Sequence, residues 1–166
     1  AFPHQGIDTV LVAAHVVLAL QSIAARNTDP LDSVVVTIAQ VHGGTAENII
    51  PGEVRLSGTV RRLNCETRRL TFERIERVAA ETARAYGATA EVTLVDGYPV
   101  LENDPDATDY VRRVAAAADG MVPVEIRPVM GGEDFAFYKI SVCAGGQIQH
   151  GSWVLRSGRQ SQQPCA

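Results

Sequence analysis

Apolar residues at helical spacing predict a helix near the start of the chain. Asp8 is a suitable N-terminal cap, and the pattern continues to about Arg26. Two apolar stripes run along it: Ile7, Leu11, Ala14, Leu18 and Ala25 form the first, and Val16, Leu20 and Ile23 form the second. A helix with two apolar faces is usually covered on both. We therefore expect the first stripe to pack on the helix's own sheet and the second to contact another subunit.

Three strands and two further helices follow. Residues 34–41 are rich in β-branched side chains, residues 54–62 alternate between apolar and polar, and residues 91–96 alternate again. Helical spacing predicts helices over residues 66–86, with Gly87 as the stop, and over residues 106–118. The order helix, strand, strand, helix, strand is typical of an α+β sandwich, in which helices cover one antiparallel sheet.

The predicted architecture is a ferredoxin-like two-layer sandwich, an antiparallel sheet with two helices, that lacks its first strand. The complete motif has the order β-α-β-β-α-β, and its first strand normally lies in the interior of the sheet. We expect a gap there, which a segment of the tail or of a neighbouring chain could fill. Residues 139–166 show no sustained helical or strand period, and we interpret them as an irregular C-terminal extension.

One side of the strand at residues 54–62 is polar over its whole length. Arg55, Ser57, Thr59 and Arg61 alternate with Val54, Leu56, Gly58 and Val60. A solvent-facing sheet surface would explain this pattern, and so would an anion-binding surface. An arginine at a strand end is more often a solvated charge, but guanidinium also suits bidentate recognition of a carboxylate. Asn48, just before the strand, could add an amide.

Length, charge and composition restrict the function classes. The 166 residues suit one domain, or one small domain with an extension. The net charge of −4 and the aromatic content of 5% argue against nucleic acid as the main partner. The sequence shows no apolar run of membrane-spanning length and no signal-peptide pattern. Three cysteines without a CxxC motif favour a reduced, cytoplasmic setting.

The residues alone contain no recognisable catalytic or metal-binding motif. His4 is interpreted as a surface residue near the N-terminus, and His150 as a residue of the tail. The motifs HExxH, HxH, CxxC and GxSxG are all absent from the sequence. Glu133 and Asp134 are adjacent, so on a strand they would point to opposite sides. We therefore predict no metal site in this chain.

Four stretches together resemble consecutive landmarks of one enzyme family. They are PHQGIDTVLVAAHVVLALQSIAARNTDPLD, VVVTIAQVHGGTAENIIPGEVRLSGTVR, GYPVLEND and MGGEDFAFY, and they extend over roughly residues 1–138. The chain resembles the dinuclear-metal amidohydrolases and carboxypeptidases, which include hippurate hydrolase, N-acyl-amino-acid amidohydrolases and indoleacetyl-amino-acid hydrolases. The order and spacing of the stretches fit this family throughout.

The resemblance implies three regions in the chain. Residues 1–98 resemble the family's lid, a dimerisation domain that hangs over the zinc-binding catalytic domain. Residues 99–138 resemble the return of the chain into that catalytic domain, and residues 139–166 are unlike the family. The Gly-Gly-Glu-Asp stretch at residues 131–134 matches a family motif of mainly structural role.

Three residues match substrate-contacting positions of the family. By this resemblance, His4 would reach across the dimer to the partner's active site and stabilise the oxyanion. Asn48 and Arg61 would hold polar groups of the substrate, including its carboxylate. The polar side of the second strand would then face the substrate.

The chain is accordingly interpreted as a fragment of a metal-dependent amidohydrolase that hydrolyses the amide bond of N-acyl amino acids. In the family, the ligands of two zinc or similar divalent ions and the general-base glutamate lie mostly before the lid. We therefore expect the chain to be inactive alone and to hold no cofactor. We expect a cytoplasmic homodimer with no nucleic-acid or membrane partner. The alternatives are a non-enzymatic dimerisation or small-ligand-binding module, and a complete enzyme of unrelated mechanism.

Overall fold

The computed structural model describes residues 2–63, 66–139 and 147–156. In chain order the elements are α1 (Thr9–Arg26), β1 (Val34–His42), β2 (Glu53–Arg62), α2 (Glu66–Ala85), β3 (Thr89–Pro99), α3 (Pro105–Ala117) and β4 (Gln147–Arg156), with 3-10 turns at Pro3–Gln5 and Asp134–Lys139. The α+β fold class is confirmed, and the predicted helices and the three predicted strands are all present.

Local hydrogen bonds fix both ends of α1. The Asp8 carboxylate accepts bonds of 3.0 Å from the backbone N–H groups of Val10 and Leu11, and so satisfies donors that have no partner within a helix. At the other end, the Asn27 N–H donates to the Ile23 carbonyl. Within the described residues, α1 is the one helix long and apolar enough to cross a membrane, a test that buried core helices also pass.

The four strands form one sheet with the order β1-β2-β4-β3, and all neighbours are antiparallel. β1 and β2 are joined as a hairpin whose register shifts between Ile38 and Gln40. Gly58 of β2 is paired with Ile38 at this irregularity. A Cβ at Gly58 would lie 1.9 Å from the Thr37 carbonyl oxygen, so only glycine allows the two strands to approach this closely.

The prediction of an irregular C-terminal extension is wrong for Gln147–Arg156, which form β4. This strand fills the interior position that the ferredoxin-like order gives to its first strand, and it is antiparallel to both neighbours as that strand would be. Its partners β2 and β3 are distant in sequence, so the pairing depends on contacts that local periodicity does not reveal. Residues 140–146 and 157–166 of the predicted extension lie outside the described part of the chain.

The two stripes of α1 have the opposite roles from those predicted. Val16 and Leu20 of the expected intersubunit stripe are completely buried, whereas Leu11 and Leu18 of the expected core stripe are 50% and 70% exposed. The core cluster also contains Ile75, Ala79 and Ala83 of α2 and Val54, Leu56 and Val60 of β2. Both helices thus pack side by side on one face of the sheet, and the stripe of α1 that faces both the sheet and α2 is the buried one.

The segment after β3 lies at one end of the sheet. The rings of Tyr98, in β3, and Phe137 meet edge to face, with their centroids 5.6 Å apart. None of the side chains of α3 is buried, and its apolar residues Tyr110, Val111 and Val114 are exposed. Residues 121–133 form neither helix nor strand.

Candidate functional site

The polar side of β2 is open, as the alternation predicted. Val54, Leu56 and Val60 are buried under the helices, while Arg55 is exposed and Ser57, Thr59 and Arg61 are half-buried. Facing β1, the Ser57 hydroxyl donates a 2.9 Å hydrogen bond to the Gln40 side-chain carbonyl. The antiparallel pairing places Thr37 opposite Thr59 and Val35 opposite Arg61. The result is a shallow surface of hydroxyl, amide and guanidinium groups.

Arg61 lies near the end of this surface, where the segment after β3 approaches the sheet. Its Nη1 donates to the backbone carbonyl of Met130. The adjoining cavity has a volume of about 530 Å³ and is lined by Arg62, Leu63, residues 99–103 and residues 126–133. Arg61 is therefore held at a contact between the sandwich and the stretch that contains Gly131, Gly132 and Glu133.

A second arginine at this end was not identified by the sequence analysis. Arg62 is only 1% exposed, and its guanidinium carbon lies 5.2 Å from the centroid of the Phe72 ring. This distance is typical of a cation–π contact. The signal was present in the sequence: two consecutive strand residues point to opposite faces, so one of Arg61 and Arg62 had to face the helices.

Asn48 lies at the other end of β2. It is exposed in the connection between β1 and β2. Other residues of this connection line an open cavity together with His42 and Arg55. The Thr9 hydroxyl donates a 2.7 Å hydrogen bond to the Pro51 carbonyl, and this bond ties the connection to the first residue of α1.

His4 lies at the same end as Asn48. It is exposed in the 3-10 turn at Pro3–Gln5, and its ring meets Phe2 edge to face with centroids 6.2 Å apart. Three residues further on, the Ile7 side chain lies beside Gly87, just before β3 begins. Because β2 and β3 both start at this end of the sheet, the turn lies near the N-terminal end of β2.

One chain does not bring the three predicted residues together. Arg61 follows Glu53 by eight positions along the extended strand, a distance of roughly 26 Å at about 3.3 Å per residue. Asn48 lies in the connection that leads into Glu53, at the N-terminal end of β2. His4 and Asn48 share one end of the sheet and Arg61 occupies the other, and a small molecule cannot touch both ends.

Within residues 2–63, 66–139 and 147–156, no three His, Cys, Asp or Glu side chains are close enough to hold a metal ion. Glu133 accepts a bond from the Phe135 N–H at 3.2 Å, which is a local turn contact. His150, interpreted as a tail residue, lies in β4 with Thr59 and Val95 as its register partners. These residues therefore do not fit the two-metal centre that the resemblance implies for the family.

The two-layer sandwich with an open polar sheet face defines a lid-type α+β domain. Residues 1–87 match the model of the peptidase dimerisation domain. An N-acetyldiaminopimelate deacetylase from Geobacillus sp. is 39% identical over 137 residues, covering 82% of this chain and 36% of that protein. Thermostable carboxypeptidase 2 from Saccharolobus solfataricus is 35% identical over 81% of this chain and 34% of its own length. The chain belongs to the M20 peptidase dimerisation-domain family of amidohydrolases and carboxypeptidases.

A solved structure supports the same relationship. The crystal structure of a proposed aminohydrolase from methicillin-resistant Staphylococcus aureus is 33% identical, with a TM-score of 0.67 over 84% of this chain. It matches over 36% of that protein's length. The chain thus spans about a third of the length of its relatives, and the recognition of the lid from sequence is confirmed.

Proposed function

We propose that this chain is the lid-containing part of a metal-dependent amidohydrolase that cleaves the amide bond of N-acyl amino acids. Among the relatives, N-acetyldiaminopimelate deacetylase and N-acetyl-L-cysteine deacetylase have names that describe removal of an acetyl group from such compounds. Residues 1–98 would form the lid, residues 99–138 part of the catalytic domain, and residues 139–166 an addition to this plan. The pairing of β4 inside the lid sheet adds part of that last region to the lid.

The observation that carries the proposal is the position of Arg61. Arg61 is the last residue on the polar side of β2. It lies beside the cavity that the end of the sheet forms with residues 126–133. A guanidinium has five N–H donors, so its bond to the Met130 carbonyl leaves donors for a carboxylate. The planar fork of arginine matches both carboxylate oxygens. Arg61 is therefore proposed to bind the carboxylate of the amino acid.

His4 and Asn48 would complete a site in a second subunit. Because they lie at the N-terminal end of β2 and Arg61 lies near its other end, roughly 26 Å along the strand, a joint site takes His4 and Asn48 from one subunit and Arg61 from the other. The His4 imidazole N–H, donating to the carbonyl oxygen, would stabilise the negative charge that develops there during hydrolysis, and the Asn48 amide would hold a polar group of the substrate. Exposure of both side chains leaves them accessible to a partner.

These residues bind and stabilise charge, and they do not supply the nucleophile. The described residues do not fit a metal site, so no metal-dependent step is assigned to them. We propose that the parent enzyme activates water in a region outside these residues. The isolated chain would then be a binding and dimerisation unit without hydrolytic activity.

A homodimer would form through the exposed stripe of α1. Leu11 and Leu18 leave an apolar strip on the outer side of the helix, and such patches commonly mark interfaces. β1 is an edge strand of the sheet, and an open edge can pair with another chain. The same features support the alternative of a non-enzymatic dimerisation module. We propose a cytoplasmic setting, with no nucleic-acid or membrane partner, from the acidic composition and the burial of one face of α1.

Subunit mixing in a full-length relative that carries this lid sequence tests the shared site. His4→Ala and Arg61→Ala homodimers should each be impaired. In a mixed dimer, one site receives both intact residues, so random mixing should restore up to about a quarter of wild-type activity. A mixture of His4→Ala with Asn48→Ala is the matched control and should restore none, because both residues come from the same subunit. Equal recovery in the two mixtures, or none in either, contradicts the proposed arrangement.

A further inference from the structure

The space between β2 and β3, here called the β2–β3 slot, admits one strand. β2 and β3 are both paired with β4, along Glu53–Val60 and Thr89–Pro99 respectively. In the order β1-β2-β4-β3 they are not neighbours of each other. β4 is thus the strand that connects β3 to the rest of the sheet.

The register gives the slot a defined chemistry. Trp153 is paired with Leu56 on one side and Val92 on the other. Leu155 is likewise paired with Val54 and Ala90. Leu56 and Val54 are fully buried, so the slot favours apolar residues at these two alternate positions. Ser152 is paired with Ser57 and Thr93, which are polar. The slot therefore fits an extended segment that alternates between polar and apolar residues.

β4 enters the slot from a chain segment that already lies at its opening. The ring of Phe137 touches Tyr98 in β3, and Gln147, the first residue of β4, is paired with the adjacent Pro99. The described residues on either side of positions 140–146 therefore both lie next to the end of β3. Neither interface of β4 is a hairpin with a sequence neighbour. Backbone pairing with β2 and β3 holds β4 in place, and this pairing is available to an unlinked strand.

We propose that the β2–β3 slot is a binding site for one extended peptide strand, with Gln147–Arg156 as a tethered ligand that a free strand of the same sequence can replace. Strand addition of this kind obtains its affinity from main-chain hydrogen bonds and its specificity from alternate side-chain positions. Here the added strand has partners on both sides instead of one. The tether supplies β4 at a high effective concentration, so the free strand competes poorly while β4 is intact.

The test uses the full chain and a labelled synthetic peptide of residues 147–156. A Trp153→Pro chain loses a strand N–H in the middle of β4, which a central strand does not tolerate, and its slot should become vacant. The peptide should bind this variant at least about tenfold more tightly than the wild-type chain, in which the tether competes. It should also restore slow amide exchange in β3. Val124→Pro, in the exposed extended stretch, is the matched control and should bind the peptide like the wild type.

Two results would overturn the proposal. One is a folded Trp153→Pro chain, by amide protection of α1 and β1, that fails to bind the peptide. The other is equal binding of a peptide that itself carries proline at position 153.

If the Trp153→Pro variant does not fold, a cross-linking experiment tests the proposal instead. It uses the wild-type chain with its three cysteines replaced by serine. Ser57→Cys with Ser152→Cys, which are register partners, should form a disulfide within or between chains. Absence of this bond, or an equal yield with the out-of-register pair Ser57→Cys and Val154→Cys, refutes the slot assignment.

Discussion

At Gly58, the close approach of β1 and β2 leaves no room for a side chain. We predict that Gly58→Ala destabilises the fold by about 1–3 kcal/mol, the usual cost of adding a methyl group where there is no room. The added Cβ would lie 1.9 Å from the Thr37 carbonyl oxygen and 2.9 Å from its carbonyl carbon. The backbone of β1 would have to move, because a carbonyl oxygen cannot rotate away like a flexible side chain.

Urea denaturation measures this effect, with Gly52→Ala as the matched control. A Cβ at Gly52 has no neighbour within 4 Å, so its substitution should change the free energy of unfolding little. Equal stability of the Gly58→Ala and Gly52→Ala variants would show that the hairpin is less closely paired than the structure indicates.

The proposed roles of Arg61 and His4 predict different kinetic effects in a full-length relative with this lid. Arg61→Ala should raise KM, since a charge-assisted bond to the carboxylate is worth roughly 1.5–3 kcal/mol, or about 10- to 150-fold. His4→Ala should mainly lower kcat, by about 10²–10³-fold, because the oxyanion exists only near the transition state. Steady-state kinetics with an N-acetyl amino acid distinguishes the two effects.

Neighbouring residues provide the controls for this pair. Arg55→Ala removes a guanidinium from the same side of β2 at its other end, and Gln5→Ala alters the same 3-10 turn as His4. Arg55→Ala should not raise KM as Arg61→Ala does, and Gln5→Ala should not lower kcat as His4→Ala does. A fall in kcat for Arg61→Ala with KM unchanged would contradict carboxylate binding.

At the scale of elements, α1 shows where periodicity is informative and where it is not. Its cap at Asp8 and its end near Arg26 were predicted because each depends on residues within one turn. The prediction of which stripe faces the core was wrong, because α1 is apolar on both sides and only the position of α2 beside it decides. Val16 and Leu20 are buried because they face the sheet and α2 together.

The strands show the same limit. Alternation in β2 correctly separated the polar side from the buried side, since Val54 and Leu56 face the helices. It could not show that His4 lies at the Asn48 end of the sheet and away from Arg61, because the position of His4 follows from how the N-terminal segment packs near Gly87. A segment of the tail was one of the two sources expected for the missing strand, but residues 147–156 were not recognised as that segment, because both partners of β4 are remote in sequence.

A pair of leucines in α1 tests the corrected assignment of its two stripes. Leu18→Gln should weaken self-association with little change in the stability of the monomer, because Leu18 is 70% exposed. Leu20→Ala should lower the free energy of unfolding by about 2–5 kcal/mol, because it removes a fully buried side chain. Light scattering and urea denaturation measure the two quantities. The opposite result would be a dimer that persists in Leu18→Gln but dissociates in Leu20→Ala, with the free energy of unfolding of Leu20→Ala unchanged. It would show that the stripe of Leu20 contacts the other subunit, as the sequence predicted.

At the scale of the whole molecule, the residues proposed to bind substrate lie at both ends of one sheet, and activity is expected only in a larger protein. We predict that the purified chain, given hippurate and zinc, releases no amino acid above background. The physical reason is that the described residues assemble no set of metal ligands that could activate water. Quantifying free glycine over time checks this. Metal-dependent release that disappears in His4→Ala would show instead that the chain is a working enzyme.

The position of β4 also determines when the sheet can close during protein synthesis. β3 ends at Pro99, but the strand that joins it to β2 ends at Arg156, so translation must add 57 more residues. At about 5–20 residues per second this takes roughly 3–11 s. During that interval the nascent chain exposes β3 without β4, and the inner edge of β2 is open to strands of other nascent chains. The sheet is therefore most exposed to pairing with other chains while it is still on the polysome, before its last strand has been translated.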